Sequence, residues 1–159
     1  MNAVKKPRWA NNVMAFSFEY TDMEHFSGNQ TRYSNWYHIV WIPKFRHGIL
    51  KDGIRDVCEI VIRDLANQKN LKIQALNIDP DHIHLLAAIP PKYAVSDIIC
   101  EFKSVSAILL RREFMTKIRK YLWKDGLFWA NGYYCNTVGG LNIEEVEKYI
   151  KSHQEVFNG

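Results

Sequence analysis

The sequence is poor in cysteine, and the few cysteines it has are widely spaced. Its 159 residues include only Cys58, Cys100 and Cys135, and none of them forms a Cys-x-x-Cys pair. This spacing argues against a disulfide framework and against a zinc knuckle. It predicts buried free thiols, which are typical of a protein from a reducing cytoplasm.

Long apolar runs, signal sequences, repeats and low-complexity tracts are also missing. No stretch reaches the roughly 18 consecutive apolar residues of a membrane span, so no membrane partner is expected. With 47% apolar and 13% aromatic residues, the chain is long enough for one packed domain and too short to expect two. The mixed composition of residues 1–33 predicts an N-terminal extension, followed by a single domain over residues 34–159.

Positive charge is modest in total but unevenly placed. The net charge is only +4, and basic residues concentrate around residues 44–47 and 111–124. Uneven positive charge favours a polyanionic partner. A solvated helix face would give the same pattern, so charge alone does not decide between the two.

Apolar periodicity and turn signals predict seven secondary-structure elements. Strands are predicted over residues 36–42, 71–78, 82–89 and 127–138, and helices over residues 53–69, around 95–110 and from 142 onward. Pro43 ends the first strand, and Asp79-Pro80-Asp81 is a turn signal between the second and third strands. The order βαββαβ with a C-terminal helix predicts an α+β, ferredoxin-like fold, in which the helices cover one face of an antiparallel sheet.

Two histidines lie two residues apart in the predicted third strand. Side chains alternate between faces along a strand, so the rings of His82 and His84 point the same way and Ile83 points into the opposite layer. Two imidazoles on one face can chelate an ion, but an ordinary pair of histidines near a sheet edge would have the same spacing. A metal site needs a third ligand.

Tyr149 and His153 lie four residues apart in the predicted last helix. That spacing puts a hydroxyl group and an imidazole on one helix face, where they could reach the same point. The same residues also continue an apolar stripe with Val146, Ile150 and Phe157, which favours a packing role for Tyr149. The residues alone therefore do not establish an enzyme.

Five short blocks between residues 33 and 154 together resemble a known family. They are YHIVW at 37–41 with PKFR at 43–46, PDHIHLL at 80–86, FKS at 102–104, FWANGYY at 128–134 with VGG at 138–140, and VEKYIKSHQ at 146–154. Blocks of this kind, in this order, are similar to those of the HUH-type single-tyrosine transposases of the smallest bacterial and archaeal insertion sequences. Five blocks in one order are far more specific than any one of them.

The resemblance implies a metal-assisted tyrosine nucleophile. It assigns the attack on a DNA phosphate to Tyr149 and divalent-metal binding to His82 and His84. The family usually has glutamine four residues after the tyrosine; here His153 holds that place, so it is the expected third ligand, with Gln154 in reserve. Mg²⁺ or Mn²⁺ is the expected ion, whereas a site of three imidazoles would favour Zn²⁺.

The implied activity is cleavage and rejoining of single-stranded DNA at insertion-sequence ends marked by DNA hairpins, through a 5′-phosphotyrosine intermediate, in a bacterial or archaeal cytoplasm. Relatives of this kind act as homodimers whose tyrosine helix can serve the partner's histidines in trans, with Gly139-Gly140 as the natural hinge. Candidate phosphate contacts are Lys44, Arg46, Lys103, Arg111, Arg112 and Lys120, and candidate base-stacking residues are Phe45, Tyr121 and Trp123.

Three other functions fit parts of the same sequence. A ferredoxin-like sheet also builds non-catalytic nucleic-acid-binding modules, although the aromatic signature of RNA-recognition domains is missing. A metallohydrolase that activates water would leave Tyr149 a structural residue. A domesticated relative acting on repeat hairpins would look identical in sequence.

Overall fold

The computed structural model describes residues 26–28, 31–122, 126–139 and 142–156; for residue 28 and residues 153–156 it describes the backbone alone. The strands are β1 (Phe26–Gly28), β2 (Thr31–Tyr33), β3 (Trp36–Trp41), β4 (Lys72–Asp79), β5 (His82–Ala88) and β6 (Tyr134–Val138). The helices are α1 (Ile54–Gln68), α2 (Val95–Ile118) and α3 (Ile143–Val156). The order from β3 to α3 confirms the predicted βαββαβ fold with a C-terminal helix.

One four-stranded antiparallel sheet organises the fold. Its strand order is β4-β5-β3-β6, so β5 and β3 are central and β6 lies at an edge. Ile39 pairs with Leu85 and Trp41 pairs with Ile83 across the central strands. This register fixes which side chains of β3 lie beside those of β5, and it thereby builds the candidate site.

Helices α1 and α2 cover one face of the sheet. Ile39, Ile83 and Leu85 point into this layer with no exposed surface, and they pack with Ile62 of α1 and Phe102 of α2 in one buried cluster. Burying a side chain of this size contributes about 1.5–3 kcal/mol relative to leaving it exposed. This layer is the main core.

Helix α3 packs on the opposite face. Ile150 is 1% exposed and lies in a second, smaller cluster with Leu86 and Val138. A β-bulge in β4 lies at Gln74, whose side-chain amide donates a 2.8 Å hydrogen bond to Glu147 of α3. That hydrogen bond, together with one from Lys151, lowers the pKa of Glu147. The described chain therefore forms three layers, with α3 resting on the face that carries the paired histidines.

The predicted fourth strand begins seven residues too early. Residues 127–133 form a loop, which is bridged to Pro43 through Trp129 and packs on β3 through the Trp129 and Trp41 rings, 6.2 Å apart. The ammonium group of Lys103 binds the carbonyl oxygens of Ala130 and Gly132 at 2.7 and 2.9 Å. These carbonyl groups therefore accept hydrogen bonds from a side chain of α2 and not from the backbone of a neighbouring strand. Helix α2 also continues to Ile118, beyond the predicted apolar stripe.

The cysteines are free thiols as predicted, but only Cys58 is buried. Burial, followed by the charge of Glu59, raises the pKa of Cys58 to about 12. Cys100 and Cys135 are exposed, which corrects the expectation of buried thiols. Cys135 lies on the edge strand β6, where residues 134–137 are all exposed.

Part of the predicted N-terminal extension has regular structure. Strands β1 and β2 pair as a short hairpin, and the Phe26 ring packs against Trp36 at 5.7 Å between ring centroids. Residues 1–25 lie outside the described residues, and the boundary at residue 34 stays a prediction. Among the described residues, no helix combines the length and apolar character that crossing a membrane requires.

Candidate metal and tyrosine site

The central strands bring three imidazole rings to the face of the sheet that α3 covers. His82 and His84 lie on the same face of β5, with ring centroids 4.9 Å apart, while Ile83 is fully buried on the other face. The β3–β5 register pairs Val40 with His84, so His38 lies diagonally across from His84. The rings of His38 and His84 stack at 5.2 Å.

A buried carboxylate from β4 joins the two histidines of β5. Asp79 pairs with His82 across the β4–β5 hairpin, and its Oδ2 lies 3.0 Å from Nε2 of His82. Asp79 is 2% exposed and also accepts a 2.9 Å hydrogen bond from the amide of Asn77. The sequence predicted a turn at Asp79, but the residue is the last one of β4, because the turn itself needs only Pro80 and Asp81.

Asp79, His82 and His84 form a donor set that fits a divalent cation. One ligand atom from each residue lies within 4.8 Å of the others. The 3.0 Å separation of Asp79 Oδ2 and His82 Nε2 equals the edge of an octahedron with metal–ligand distances of about 2.1 Å. Two imidazoles and one carboxylate are a mixed nitrogen and oxygen set, which suits Mn²⁺, Mg²⁺ or Zn²⁺.

The second nitrogen of His82 is held by a carboxylate. His82 Nδ1 lies 2.6 Å from Asp81 Oδ1, and Arg46 Nε donates a 2.8 Å hydrogen bond to Asp81 Oδ2. Burial raises the pKa of Asp81, but the hydrogen bonds and charges of His82 and Arg46 outweigh it, and the pKa is lowered. An ionised Asp81 favours the proton of His82 on Nδ1, which leaves Nε2 available on the side of Asp79.

His38 gives His84 a similar partner. Nε2 of His38 lies 3.0 Å from Nδ1 of His84, and partial burial lowers the pKa of His38, which favours its neutral form. When His84 donates its Nδ1 proton to His38, its lone pair lies on Nε2, the nitrogen suited to an ion. Sequence reasoning missed both His38 and Asp79, because their proximity to the His82-x-His84 pair comes from strand register.

Tyr149 lies over this group of rings on α3. Its ring centroid is 5.8 Å from that of His84 and 6.4 Å from that of His38, and both contacts are nearly perpendicular. Tyr149 is 48% exposed, whereas its neighbour Ile150 carries the packing contact with the sheet. Tyr149 is therefore not a core residue, and it stands beside the histidines of its own chain.

The comparison with protein families is decisive for the class of the protein. A family model described as "Transposase IS200 like" matches residues 31–153. The chain belongs to the IS200-like transposase family. This match covers β2 to β6, α1, α2 and most of α3.

Curated relatives support the same family. The chain is 32% identical over 121 residues to the ISDra2 transposase TnpA of Deinococcus radiodurans, which covers 75% of this chain and 84% of the relative. It is 35% identical over 125 residues to the transposase for insertion sequence element IS200 of Salmonella typhimurium, which covers 79% of this chain and 80% of the relative.

Solved structures confirm the fold of this transposase. A crystal structure of a transposase from Deinococcus radiodurans aligns with a TM-score of 0.64 at 29% identity and covers 80% of this chain and 96% of that one. A REP-associated tyrosine transposase, solved with a REP hairpin, aligns with a TM-score of 0.51 at 14% identity and covers 84% and 70% of the two chains. At that identity the second structure supports the fold alone.

The predicted third ligand of the transposase belongs to the last turns of α3. The side chains of His153 and Gln154 lie outside the described residues, so both stay predictions. Trp123, one of the predicted base-stacking residues, also lies outside them.

The predicted phosphate contacts of the transposase lie in different surroundings. Arg46 reaches the site through Asp81, and Lys44 lies near it in sequence with its ammonium 5.4 Å above the Phe45 ring. Lys120 is exposed, 5.0 Å above the Tyr121 ring. Arg46 therefore contacts Asp81, which in turn contacts His82, one of the two histidines predicted to bind a metal ion.

The other three basic residues lie on α2. Lys103 is half-buried, which lowers its pKa, and its two hydrogen bonds hold the 127–133 loop. Arg111 and Lys103 line a cavity of about 350 Å³ between α2 and that loop, and Arg112 pairs with Glu113 at 2.9 Å. Lys103 therefore has a structural role in holding the loop. Contact with DNA stays a prediction for Lys103, Arg111 and Arg112.

Proposed function

We propose that this transposase cleaves and rejoins single-stranded DNA at insertion-sequence ends, with Tyr149 as the nucleophile beside a divalent-metal site formed by Asp79, His82 and His84. The proposal rests mainly on one observation. The half-exposed Tyr149 ring lies 5.8 Å from His84, one of three residues whose ligand atoms lie within 4.8 Å of one another.

The chemistry follows from the tyrosine. The phenolic oxygen of Tyr149 gives up its proton and forms a bond to phosphorus. The bond from phosphorus to the 3′ oxygen breaks, and the 3′ oxygen takes up a proton, so no proton is gained or lost overall. The products are a 5′-phosphotyrosine and a free 3′-hydroxyl. Because the new ester keeps the free energy of the phosphodiester, a second 3′-hydroxyl can reverse the step on another end without ATP. One site therefore performs both cutting and joining.

The remaining residues hold the site in place. A divalent ion bound here supplies positive charge that neutralises the phosphate and assists the phenol, whose free form ionises only near pH 10. Asp81 and Arg46 fix the ring of His82, and His38 fixes the ring of His84. A carboxylate in the ligand set favours Mg²⁺ or Mn²⁺, whereas addition of His153 would move the preference toward Zn²⁺.

Hairpin DNA and a second subunit are the proposed partners. A transposase of the same fold, the REP-associated tyrosine transposase, was solved bound to a REP hairpin, and by analogy with it we propose hairpin ends as the recognised DNA. Strand β6 is an edge strand with residues 134–137 exposed, so it can pair with the same strand of a second copy in a homodimer. Gly139 would then act as part of the hinge for exchange of α3, and Gly140 lies outside the described residues.

A denaturation-resistant protein–DNA adduct is the test. The protein is incubated with labelled single strands from its own locus and Mn²⁺, and it is compared with Tyr149→Phe and with Tyr134→Phe. Tyr134 is a matched control because its ring is also exposed and lies 6.3 Å from His38. Only the Tyr149 variant should lose the adduct.

The other outcomes point to the competing functions. Nicked DNA without covalent attachment would favour a metallohydrolase that uses water. Binding of single strands without nicking would favour a non-catalytic module. A domesticated relative that acts on repeat hairpins would still form the adduct, but with repeat DNA from elsewhere in its genome.

A further inference from the structure

A partly exposed aromatic turn lies next to the proposed site, and its rings take no part in the proposed chemistry. The turn follows β3 and contains Phe45 and His47, and Tyr121 lies against it from the end of α2. We propose that Phe45, His47 and Tyr121 form a stacking platform for the unpaired bases that flank the scissile phosphate. This inference rests on the proposed action on single-stranded DNA.

The turn displays Phe45 by means of an uncommon backbone conformation. Phe45 and Arg46 have φ angles of 56° and 55°, in the left-handed region that bulky residues seldom adopt. The turn is held in place, since the backbone N–H of Lys44 donates to Phe128 and that of Arg46 donates to Pro43, both at 2.8 Å. Phe45 is 59% exposed as a result. Such strain persists where the surrounding structure enforces it, and it is concentrated at binding sites.

Three rings form a continuous aromatic path. The centroids of Phe45 and His47 are 6.0 Å apart, and those of His47 and Tyr121 are 5.4 Å apart. A lysine accompanies each end, because the ammonium of Lys44 lies 5.4 Å from the Phe45 ring and that of Lys120 lies 5.0 Å from the Tyr121 ring. Aromatic rings interleaved with basic groups match the alternation of bases and phosphates along an unpaired strand.

The platform is connected directly to the candidate metal site. Arg46, which lies between Phe45 and His47 in sequence, binds Asp81, and Asp81 contacts His82. The platform is thus joined to His82 through two side-chain contacts, so a strand whose phosphate lies at His82 would have the platform nearby. Bases in a duplex have their faces covered by stacked neighbours, so the rings can stack only on unpaired bases. We therefore assign the platform to single-stranded flanks and not to a hairpin stem.

The test measures base stacking without catalysis. A fluorescent 2-aminopurine is placed in a single-stranded oligo(dT) 20-mer, and quenching and affinity are measured in EDTA so that cleavage plays no part. Phe45→Leu should weaken binding about 5- to 150-fold, which is the range for loss of one stacked base, and it should reduce the quenching. Phe45→Trp should retain both. Ile60→Ala is the matched control, because Ile60 on α1 is 57% exposed.

Two results would overturn the platform. The first is that the wild type and Phe45→Leu bind the oligomer with equal affinity. The second is that the wild type binds a blunt duplex as tightly as the oligomer, and that Phe45→Leu loses the same affinity for both. Tyr121→Leu provides a second removal of a ring, and thermal melting verifies that each variant is folded. The adduct assay separates this inference from the proposed function: quenching without an adduct contradicts the nucleophile alone, and an adduct with unchanged Phe45→Leu binding contradicts the platform alone.

Discussion

Asp79→Asn tests the metal site most directly, because it removes one charge and almost no volume. Asp79 is 2% exposed, and its Oδ2 faces Nε2 of His82 at 3.0 Å. Loss of a supporting contact outside the ligand set typically lowers metal affinity 10- to 100-fold. Loss of a direct carboxylate ligand should therefore lower it by at least about 100-fold, or about 2.7 kcal/mol.

The effect on thermal stability follows because an ion that binds only the folded protein stabilises it. At a Mn²⁺ concentration of about 100 times the wild-type Kd, bound ion stabilises the native state by about 2.7 kcal/mol. A variant with 100-fold weaker affinity gains only about 0.4 kcal/mol at the same concentration. For a domain of this size about 1 kcal/mol shifts Tm by roughly 2–4 °C. Mn²⁺ should then raise the Tm of the wild type by about 5–11 °C and that of Asp79→Asn by about 1–2 °C.

Thermal melts with and without Mn²⁺, together with calorimetric titration, measure both quantities. Asp64→Asn is the matched control, because Asp64 is an exposed carboxylate on α1. Asp81→Asn should have an intermediate effect, since Asp81 contacts His82 through the nitrogen that faces away from Asp79. If Asp79→Asn keeps the full Mn²⁺-induced shift in Tm, Asp79 is not a ligand and the proposed set of three is wrong.

Three further predictions follow from the same contacts. Tyr149→Phe should abolish the covalent adduct while Mn²⁺ binding stays unchanged, and a retained adduct would exclude Tyr149 as nucleophile. His38→Phe should weaken Mn²⁺ binding about 10- to 100-fold, with partial recovery in His38→Gln, because it removes the hydrogen-bond partner of His84, a proposed ligand; equal Kd values in calorimetry would contradict this role. Glu147 has a lowered pKa in the folded protein, so its stabilisation is present above the unfolded pKa of about 4.3 and is lost as pH falls through the folded value. Denaturant unfolding between pH 3 and 6 should show this loss in the wild type and a weaker one in Glu147→Gln.

Local sequence patterns were sufficient for the fold and for the paired histidines. Alternation along β5 placed His82 and His84 on one face, and that geometry depends on neighbours two residues apart. Helical spacing placed Ile150 and Tyr149 on α3 in the same way. The error in the fourth strand has a specific cause. The composition of residues 127–133 resembles that of a strand, but Trp129 instead donates its indole N–H to Ser106 at 3.0 Å inside the loop contact with α2.

The rest of the site depends on contacts between distant parts of the chain. His38 and His84 are 46 residues apart, and their 3.0 Å contact exists only in the observed register of β3 and β5. A shift of one residue would turn His38 to the other face. The sequence signal for this residue is a histidine inside an apolar and aromatic strand, since His38 follows Tyr37 and precedes Ile39.

The proposed ligands and the proposed nucleophile belong to different elements, so metal binding and the position of the tyrosine can be tested separately. Asp79, His82 and His84 all come from β4 and β5, whereas Tyr149 lies on α3. Helix α3 is anchored by Ile150, which is 1% exposed, and truncation of a buried isoleucine to alanine costs about 2–5 kcal/mol.

Ile150→Ala should therefore loosen α3 and reduce adduct formation, while Mn²⁺ affinity measured by calorimetry stays within a few-fold of the wild type. Val146→Ala is the matched control, because Val146 is a partly buried neighbour on the same helix. A parallel fall in Mn²⁺ affinity would contradict a ligand set confined to β4 and β5. That result would favour an essential ligand on α3, at His153 or Gln154, as the family resemblance implies.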